Sequence, residues 1–389
     1  MFSLNDFSPI SQISTSTIMG SKESKDVLWT TDIKKELPIF MTREEYGGLP
    51  PITMMDMFEA AVKEEPKAEA LFIERDGQWQ SWTWNHYYKE VINFAKALIN
   101  LGIEPYKTVN ILGCNSPEWF AAFFGGQYAC VVPTGVYLTN NSESCVYVAE
   151  HSECGCLVVD SLEQYRKYEK DLPKLKSLKA VVFYCDLNEE ELKAMVNPYV
   201  PIFLWKDFVE SGRKATNDLE LAQRRRMQNP GNCCGIVYTS GTTGHPKAVL
   251  LSHDNLTWVG RCLHKKYFHL IGENNRLVSY LPLSHIAGQV NDIICATIAR
   301  SSVYFARPDA LSGSLIHTLH YVRPTAFFAV PRVYEKFEER IREQFNSAGF
   351  IKKKLSKIYL TKLNLLKRLE LNMLTTNSKI KANLLCILS

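Results

Sequence analysis

The segment at residues 238–247 constrains this chain more than any other, because an apolar run ends there in a loop of glycines and small hydroxyl residues. In order, its residues are Tyr238, Thr239, Ser240, Gly241, Thr242, Thr243, Gly244, His245, Pro246 and Lys247. Glycines let a ligand approach the backbone closely, while backbone amides and hydroxyl groups can donate hydrogen bonds to phosphoryl oxygens. Lys247 adds a compensating positive charge. The segment therefore predicts a phosphate-binding loop.

Two other interpretations of this segment are weaker. A Walker A loop needs glycine directly before its lysine and serine or threonine directly after it, whereas Pro246 and Ala248 flank Lys247. This disfavours a P-loop NTPase. An ordinary turn between two strands needs only one or two glycine or hydroxyl residues, and residues 239–244 provide six in succession.

Length and composition bound both the fold and the partners. A chain of 389 residues with 46% hydrophobic content can bury the core of one large domain or of about two to three smaller ones. A net charge of +4 is too small to indicate nucleic-acid binding. The eleven cysteines lack the spacing of a zinc site, so we expect free thiols in a reducing cytosol. Residues 1–17 lack the features of a secretory signal, which also favours a cytoplasmic protein.

One uncharged stretch, residues 119–138, is long enough to raise the question of a membrane-spanning helix. It is interrupted by Gly125, Gly126, Gln127 and Pro133, which divide it into a helix and a strand. We therefore expect this stretch to form buried core.

Helix and strand signals alternate along the chain before the loop. Asp76 and Gly77 separate two strand-like runs and predict a hairpin with a type I′ turn. Ser116 and Pro117 indicate the cap and first residue of a helix. Further helices are predicted at 53–63, 84–101 and 162–172, and strands at 70–75, 78–83, 108–112, 130–132, 155–159 and 180–184. Strands separated by helices predict parallel sheets covered on both faces.

The residues that precede the loop, which include Arg224, Arg225 and Arg226, are predicted to form an irregular linker with solvated arginines. After the loop, strands are predicted at 248–251, 276–281, 302–305 and 326–330, and helices from near 254 and at 288–299, 315–322 and 332–345. The predicted fold class is α/β, with layered and mostly parallel sheets. We divide the chain into an irregular tail (1–50), a folded domain (51–350) and a basic, leucine-rich tail (351–389).

The loop resembles the nucleotide-phosphate loop of the adenylate-forming superfamily, whose signature is YTSGTTGxPK. Residues 280–288 (YLPLSHIAG) are similar to the next motif of that superfamily, and residues 330–336 (VPRVYEK) to a segment of long-chain fatty acyl-CoA synthetases. Residues 28–31 and 251–258 resemble the bubblegum-type branch of those synthetases. VPRVYEK disfavours a luciferase-like or peptide-synthetase adenylation domain. The resemblance implies an N-terminal adenylation domain, which is also called an AMP-binding domain.

This resemblance implies a ligase reaction in two steps. A long-chain fatty acid carboxylate attacks the α-phosphorus of Mg²⁺-bound ATP to give an acyl-adenylate and pyrophosphate, and coenzyme A then displaces AMP. The resemblance places the β- and γ-phosphates against residues 239–247 and makes Lys247 a catalytic residue. It gives His285 a place at the acyl pocket, as a second catalytic candidate. A merely packed histidine is the alternative, and Tyr280 has the same two interpretations.

The sequence departs from the family in two respects. Ala248 replaces the glycine that usually follows the lysine. The family segments for adenine and ribose, and the C-terminal domain with its catalytic lysine, do not appear before Ser389. We therefore expect a truncated form, with an incomplete N-terminal domain, no C-terminal domain and impaired activity. A non-catalytic fragment that binds a nucleotide or an acyl chain is the alternative.

Residues 351–389 match no segment of the family. One hypothesis is an amphipathic helix that contacts an anionic membrane surface peripherally, for instance at the endoplasmic reticulum. The other is a translated intron, an alternative exon or an error in the gene model.

Overall fold

The computed structural model describes residues 29–41, 48–185, 187, 190–191, 195, 200–239, 244–267 and 274–347. The chain divides into two compact units, residues 1–327 and residues 328–389. The strands of the first unit are β1 (Glu69–Arg75), β2 (Gln78–Thr83), β3 (Thr108–Leu112), β4 (Val132–Gly135), β5 (Cys154–Val159), β6 (Ala180–Phe183), β7 (Ile202–Leu204), β8 (Cys233–Thr239), β9 (Lys247–Ser252), β10 (Arg276–Ser279) and β11 (Ser302–Phe305).

The helices of the first unit connect these strands. They are α1 (Met54–Glu64), α2 (Trp84–Asn100), α3 (Pro117–Tyr128), α4 (Ser142–His151), α5 (Leu162–Glu169), α6 (Trp205–Lys214), α7 (Asp218–Arg226), α8 (His253–Tyr267), α9 (Ile286–Gly288, then π-helical Gln289–Cys295, then Ala296–Ile298) and α10 (Leu315–Val322), with 3₁₀ turns at Leu172–Lys174 and Ala310–Ser312. Helix α11 (Pro331–Ser347) lies in the second unit.

The larger sheet has seven strands in the order β7-β6-β5-β3-β4-β8-β9. All neighbours from β7 to β8 pair in parallel, and β9 pairs with β8 in the antiparallel direction. Every residue of β3, β5 and β6 is buried, because helices that connect parallel strands cover both faces of such a sheet. The structure thus confirms the predicted α/β class with mostly parallel strands.

The smaller sheet has four strands in the order β10-β11-β1-β2. Strands β1 and β2 form the predicted hairpin, and its turn residues Asp76 and Gly77 have φ values of 51° and 73°. Two successive left-handed residues define a type I′ turn, whose twist matches that of the strands beside it. Strand β11 pairs in parallel with both β1 and β10.

Side-chain caps fix the starts of several helices. Thr53 and Asp56 form a capping box at α1, in which each side chain accepts a hydrogen bond from the backbone amide of the other residue. Ser116 accepts from the amide of Trp119, and Pro117 occupies the first turn of α3, as predicted. A cap of this kind stabilises a helix by about 1 kcal/mol.

Helix α3 lies in the centre of the core, and all its residues are buried. It contacts β3 and β4 of the larger sheet and β1 of the smaller sheet. Phe124 stacks on Phe58 of α1 at 4.4 Å, and Phe120 meets Phe305 of β11 edge-on at 5.0 Å. Burying each of these rings is worth roughly 1.5–3 kcal/mol. The stretch at 119–138 is therefore buried core, as predicted, and among the described residues we find no helix long and apolar enough to cross a membrane.

The prediction of an irregular linker with solvated arginines was wrong for the linker and for Arg224, whereas Arg226 is exposed as predicted. Residues 218–226 form α7, and Arg224 is only 7% exposed. Its guanidinium donates hydrogen bonds to the carbonyl oxygens of Ile103 and Ala129 and to the carboxylate of Glu220. A guanidinium offers five donors in a fixed plane, so these acceptors together compensate its desolvation. Arg224 therefore joins α7 to the core instead of facing solvent.

Other predicted elements also differ from the structure. Residues 326–330 form no strand, whereas α4, α6 and β7 were not predicted. The strand expected at 130–132 begins at Val132, because Cys130 adopts a left-handed conformation with φ of 55°. The helix predicted at 332–345 is confirmed as α11. Cysteines in the described residues are free thiols, most of them buried.

His253, at the start of α8, is buried. Its Nδ1 accepts a hydrogen bond from the amide of Met54, at 3.1 Å, and so connects α8 to α1. Burial lowers the pKa of His253 to about 3. The imidazole is therefore neutral at physiological pH, and its observed contact is a structural one.

Candidate active site

The predicted phosphate-binding loop joins β8 to β9. Thr239 is the last residue of β8 and lies opposite Lys247, the first residue of β9, in the antiparallel pair. Both side chains are exposed. Residues 240–243, which include four of the predicted site residues, lie outside the described part of the chain. Gly244, which follows them, has φ of 94°, a conformation that favours glycine, and it lies in open space.

The loop lies at the carboxyl edge of the parallel strands. Strand β8 runs parallel to β4, with Val237 beside Gly135. The connections between strands change direction next to this position. From β3 the chain passes to its neighbour β4, and from β4 it returns across β3 to β5 on the opposite side. In open α/β sheets, ligands bind in the crevice at the carboxyl ends of strands where connections diverge in this way.

Asn115 follows β3 at the same edge of the sheet. Its side chain forms hydrogen bonds to Ser279 and to residues 280–288, which we call the second motif. Its Nδ2 donates to Ser279 Oγ at 2.9 Å and to the carbonyl oxygen of Leu281 at 2.8 Å. Its Oδ1 accepts from the amide of Leu283 at 3.3 Å. Asn115 was not among the predicted site residues. A polar side chain three residues after a buried strand was the available signal, since the loops that follow such strands border the crevice.

The second motif also contacts β4 directly. A Cβ atom placed on Gly135 would lie 2.7 Å from Ser284 Cα. No Cβ fits at that distance, so the glycine is what lets the segment approach the strand. The contact brings residues 280–288 to the carboxyl end of β4, which is the strand beside β8 and its loop.

His285 and Tyr280 have local partners in this segment. His285 is exposed, and its Nδ1 accepts a hydrogen bond from the amide of Ala287, which caps the start of α9. Tyr280 is 7% exposed and stacks on Phe327 with ring centroids 5.4 Å apart. These contacts position both side chains. Their role at an acyl pocket stays a prediction.

A buried carboxyl group lies in the π-helical part of α9. Asp292 is 2% exposed, and Asn291 donates a hydrogen bond to it at 2.5 Å. Burial raises the pKa of Asp292 to about 7, and hydrogen bonds from Ser279 and Asn291 oppose that rise. Because Ser279 also accepts from Asn115, the three elements β3, β10 and α9 share one polar cluster. Single π-helical turns within α-helices occur frequently at functional sites.

A cavity of about 230 Å³ opens between the two sheets near Asn115. Its two arginines are paired with carboxylates, Arg75 with Glu118 at 2.6 Å and Arg307 with Glu74 at 2.7 Å. Cys114 also lines it, and burial together with Asp160 raises the pKa of this thiol to about 12. A thiol with that pKa is protonated at physiological pH, so the cavity does not contain an activated cysteine nucleophile.

The positive charge of an exposed lysine at this edge can attract an anionic ligand. The loop offers this lysine, Lys247. Within the described ranges, no group of three or more histidine, cysteine, aspartate or glutamate side chains could hold a metal ion.

A family model described as AMP-binding enzyme matches residues 58–378. Curated relatives include the long-chain-fatty-acid–CoA ligase ACSBG2 of Xenopus laevis, at 37% identity over 89% of this chain and 47% of that protein. The long-chain-fatty-acid–CoA ligase ACSBG1 of Rattus norvegicus is 38% identical over 85% of this chain and 45% of its own length. The chain therefore spans about half the length of these relatives.

Solved structures with the same fold include two bacterial adenylation domains. The adenylation domain of a carboxylate reductase from Mycobacterium chelonae superposes with a TM-score of 0.65 at 16% identity, over 80% of this chain and 51% of that one. The A domain of carboxylic acid reductase from Segniliparus rugosus, in complex with AMP and a co-purified carboxylic acid, gives 0.64 at 15% identity, over 79% and 53%. At this level of identity the likeness establishes the fold.

Proposed function

The chain belongs to the AMP-binding enzyme family, and we propose that it carries the nucleotide-binding part of an ATP-dependent long-chain fatty acid–CoA ligase. The relatives that match most of its length carry that activity in their names. The observation that carries the proposal is the position of the Thr239–Lys247 pair at the carboxyl edge of β8, with the second motif packed against the neighbouring strand.

The proposed reaction begins with an attack by a carboxylate on ATP. One oxygen of the fatty acid bonds to the α-phosphorus while the bond from that phosphorus to pyrophosphate breaks. Coenzyme A then attacks the acyl carbon as its thiolate, and AMP leaves. Because the first step brings two anions together, the site must screen their charges. We assign that screening to Lys247 and to the amides and hydroxyls of the loop at 239–247.

Coenzyme A is the second substrate of the proposed reaction, and magnesium would enter it together with ATP. Since the described residues offer no cluster of metal ligands, the phosphates of ATP would hold the Mg²⁺ ion. A cytoplasmic location and peripheral contact with a membrane stay predictions from the sequence.

The test is exchange of labelled pyrophosphate into ATP by the purified chain, in the presence and absence of a long-chain fatty acid. Lys247→Ala should lower the exchange rate about 10- to 100-fold, because a hydrogen bond to a charged group contributes roughly 1.5–3 kcal/mol. Lys179→Ala is the matched control. That lysine is also exposed, but it directly precedes β6 and so lies at the opposite, amino edge of the sheet.

Two results would contradict parts of this proposal. Equal exchange by Lys247→Ala and the unmodified chain would remove the phosphate assignment. ATP binding by a folded sample without any exchange would instead support the alternative of a non-catalytic ligand-binding protein.

A further inference from the structure

Two rings of α4 lie beside the phosphate-binding loop. Tyr147 and His151 are four residues apart and so occupy the same face of the helix. The ring of Tyr147 stacks on that of His245, with centroids 4.3 Å apart and planes inclined by 13°. The ring of His151 also stacks on that of Tyr147, with centroids 5.3 Å apart. The Nδ1 atom of His151 lies 2.8 Å from the hydroxyl of Tyr238.

These contacts involve both ends of the loop. Tyr238 directly precedes Thr239, and His245 precedes Lys247 by two residues. One residue on each side of the loop therefore contacts the same turn of α4. The opposite face of that helix is buried through Cys145, Val148 and Ala149, so α4 is a fixed support for the two rings.

The contacts give His245 a role different from that of its neighbours. Lys247 is exposed and free to approach a phosphate, whereas the imidazole of His245 packs on Tyr147. A stacked aromatic pair contributes to stability beyond the area that it buries. The side chain of His245 thus restrains the backbone at residues 244–247, and that backbone can contact the nucleotide.

We propose that Tyr147 is a positioning residue for the phosphate-binding loop, with His151 and Tyr238 completing the support. The proposal rests on the proposed function, because it assigns the ordered loop to ATP binding. Its first consequence is local order at residues 244–247, and its second is tighter binding of ATP.

The experiment compares the unmodified chain with Tyr147→Ala and Tyr147→Phe. Hydrogen–deuterium exchange of peptides that cover 239–247 measures the order of the loop without any ligand, and titration with ATP measures affinity. In Tyr147→Ala the loop amides should exchange faster, and the Kd for ATP should rise about 3- to 10-fold, the range expected for one lost aromatic pair. Tyr147→Phe should match the unmodified chain, because the stack uses the ring.

Tyr321→Ala is the matched control. Tyr321 stacks on Trp79 at 4.9 Å with parallel planes, so this variant loses a comparable ring pair at the smaller sheet. It should change neither loop exchange nor ATP affinity. If Tyr147→Ala fails to fold by circular dichroism, His245→Ala removes the same stack from the loop side and takes its place.

Unchanged hydrogen exchange of the loop in Tyr147→Ala would overturn the proposal. So would a double variant in which the effects of Tyr147→Ala and His245→Ala on loop exchange are additive, because two partners of one stack should not act independently. Equal ATP affinity in the two folded proteins would overturn its second part. If the unmodified chain binds no ATP, the proposed function fails, and the exchange data still decide whether Tyr147 orders the loop.

Discussion

The loops after β3 and β8 lie at the same edge of the larger sheet, but they are held in different ways. The loop after β3 is fixed by hydrogen bonds: the amide of Cys114 donates to Asp160, the hydroxyl of Tyr184 donates to the carbonyl of Cys114, and Asn115 bonds to the second motif. The described part of the loop after β8 is exposed at Gly244, His245 and Lys247, and ring stacking supports it.

This difference suggests that the two loops respond differently when a ligand binds in the crevice. We call the hydrogen-bonded loop after β3 the wall at Asn115. Because it is already fixed, it loses little conformational entropy when a ligand binds, whereas an exposed loop loses more. Under the proposed function, the exposed residues 244–247 would therefore lose more conformational entropy than the wall at Asn115 when ATP binds. Each prediction below changes one side of this comparison, beginning with the largest expected effect.

Asn115→Ala should destabilise the fixed wall most. It removes three hydrogen bonds, each worth roughly 0.5–1.5 kcal/mol, so we expect the free energy of unfolding to fall by about 2–4 kcal/mol. Chemical denaturation measures this change. Asn229→Ala, which removes a bond to Glu36 near the surface, is the control and should have little effect. Equal stability of Asn115→Ala and the unmodified chain would show that the wall does not depend on this side chain.

The carboxyl group of Asp292 should make the same wall sensitive to pH. Its pKa is about 7 in the folded chain, above the ordinary aspartate value of 3.8, so the folded state binds the proton more tightly. The stabilisation is complete below the unfolded pKa and is lost as pH rises toward 7. Between pH 5 and pH 8 we expect a loss of about 2–3 kcal/mol.

Asp292→Asn tests this interpretation. Its carboxamide oxygen can still accept the hydrogen bond from Asn291, but it does not titrate. Denaturation curves at pH 5, 6.5 and 8 should therefore show a flatter pH dependence than those of the unmodified chain. The same slope in both proteins would mean that another group is responsible.

Gly135→Ala should affect the contact between β4 and the second motif. Because the added methyl group would lie 2.7 Å from Ser284 Cα, the backbone must shift, at a cost of roughly 1–3 kcal/mol. Gly235→Ala is a close control in β8, since its methyl group would meet only Pro133, at 3.9 Å. Similar melting temperatures for the two variants would contradict the close approach seen here.

The smallest effect is expected on the other side of the crevice, at the start of α4. Asn141 accepts a hydrogen bond from the amide of Ser144 at 2.9 Å and caps the helix. Asn141→Ala should lower stability by about 1 kcal/mol and raise hydrogen exchange in α4 and in the loop that it supports. Asn141→Ser retains a capping side chain and should restore both. Faster hydrogen exchange in α4 alone would show that the helix does not order the loop.

Local sequence signals predicted the parts of the fold that depend on neighbouring residues. Asp76 and Gly77 predicted the hairpin turn, and Ser116 and Pro117 the start of α3, because turns and caps are made within a few residues. The glycines and hydroxyls at 239–244 predicted where a loop follows β8. That the loop binds phosphate stays a prediction.

Contacts between distant segments could not be predicted in this way. Arg224 finds its acceptors at Ile103 and Ala129, and only the folded chain brings these positions together. Helix α4 was missed because few of its residues are buried. The stack of Tyr147 on His245 joins positions that are almost a hundred residues apart, and neither residue type indicates such a pair by itself.

The π-helical segment of α9 has a consequence for how this chain can change in evolution. A turn closed by i→i+5 hydrogen bonds holds one residue more than an α-helical turn, so it acts like an insertion inside an otherwise regular helix. Deleting a single residue within Gln289–Cys295 would remove that extra residue and let the segment return to α-helical hydrogen bonds, with the residues that follow still facing the core. The position of Asp292 is therefore specified by the number of residues in this helix as well as by their identity.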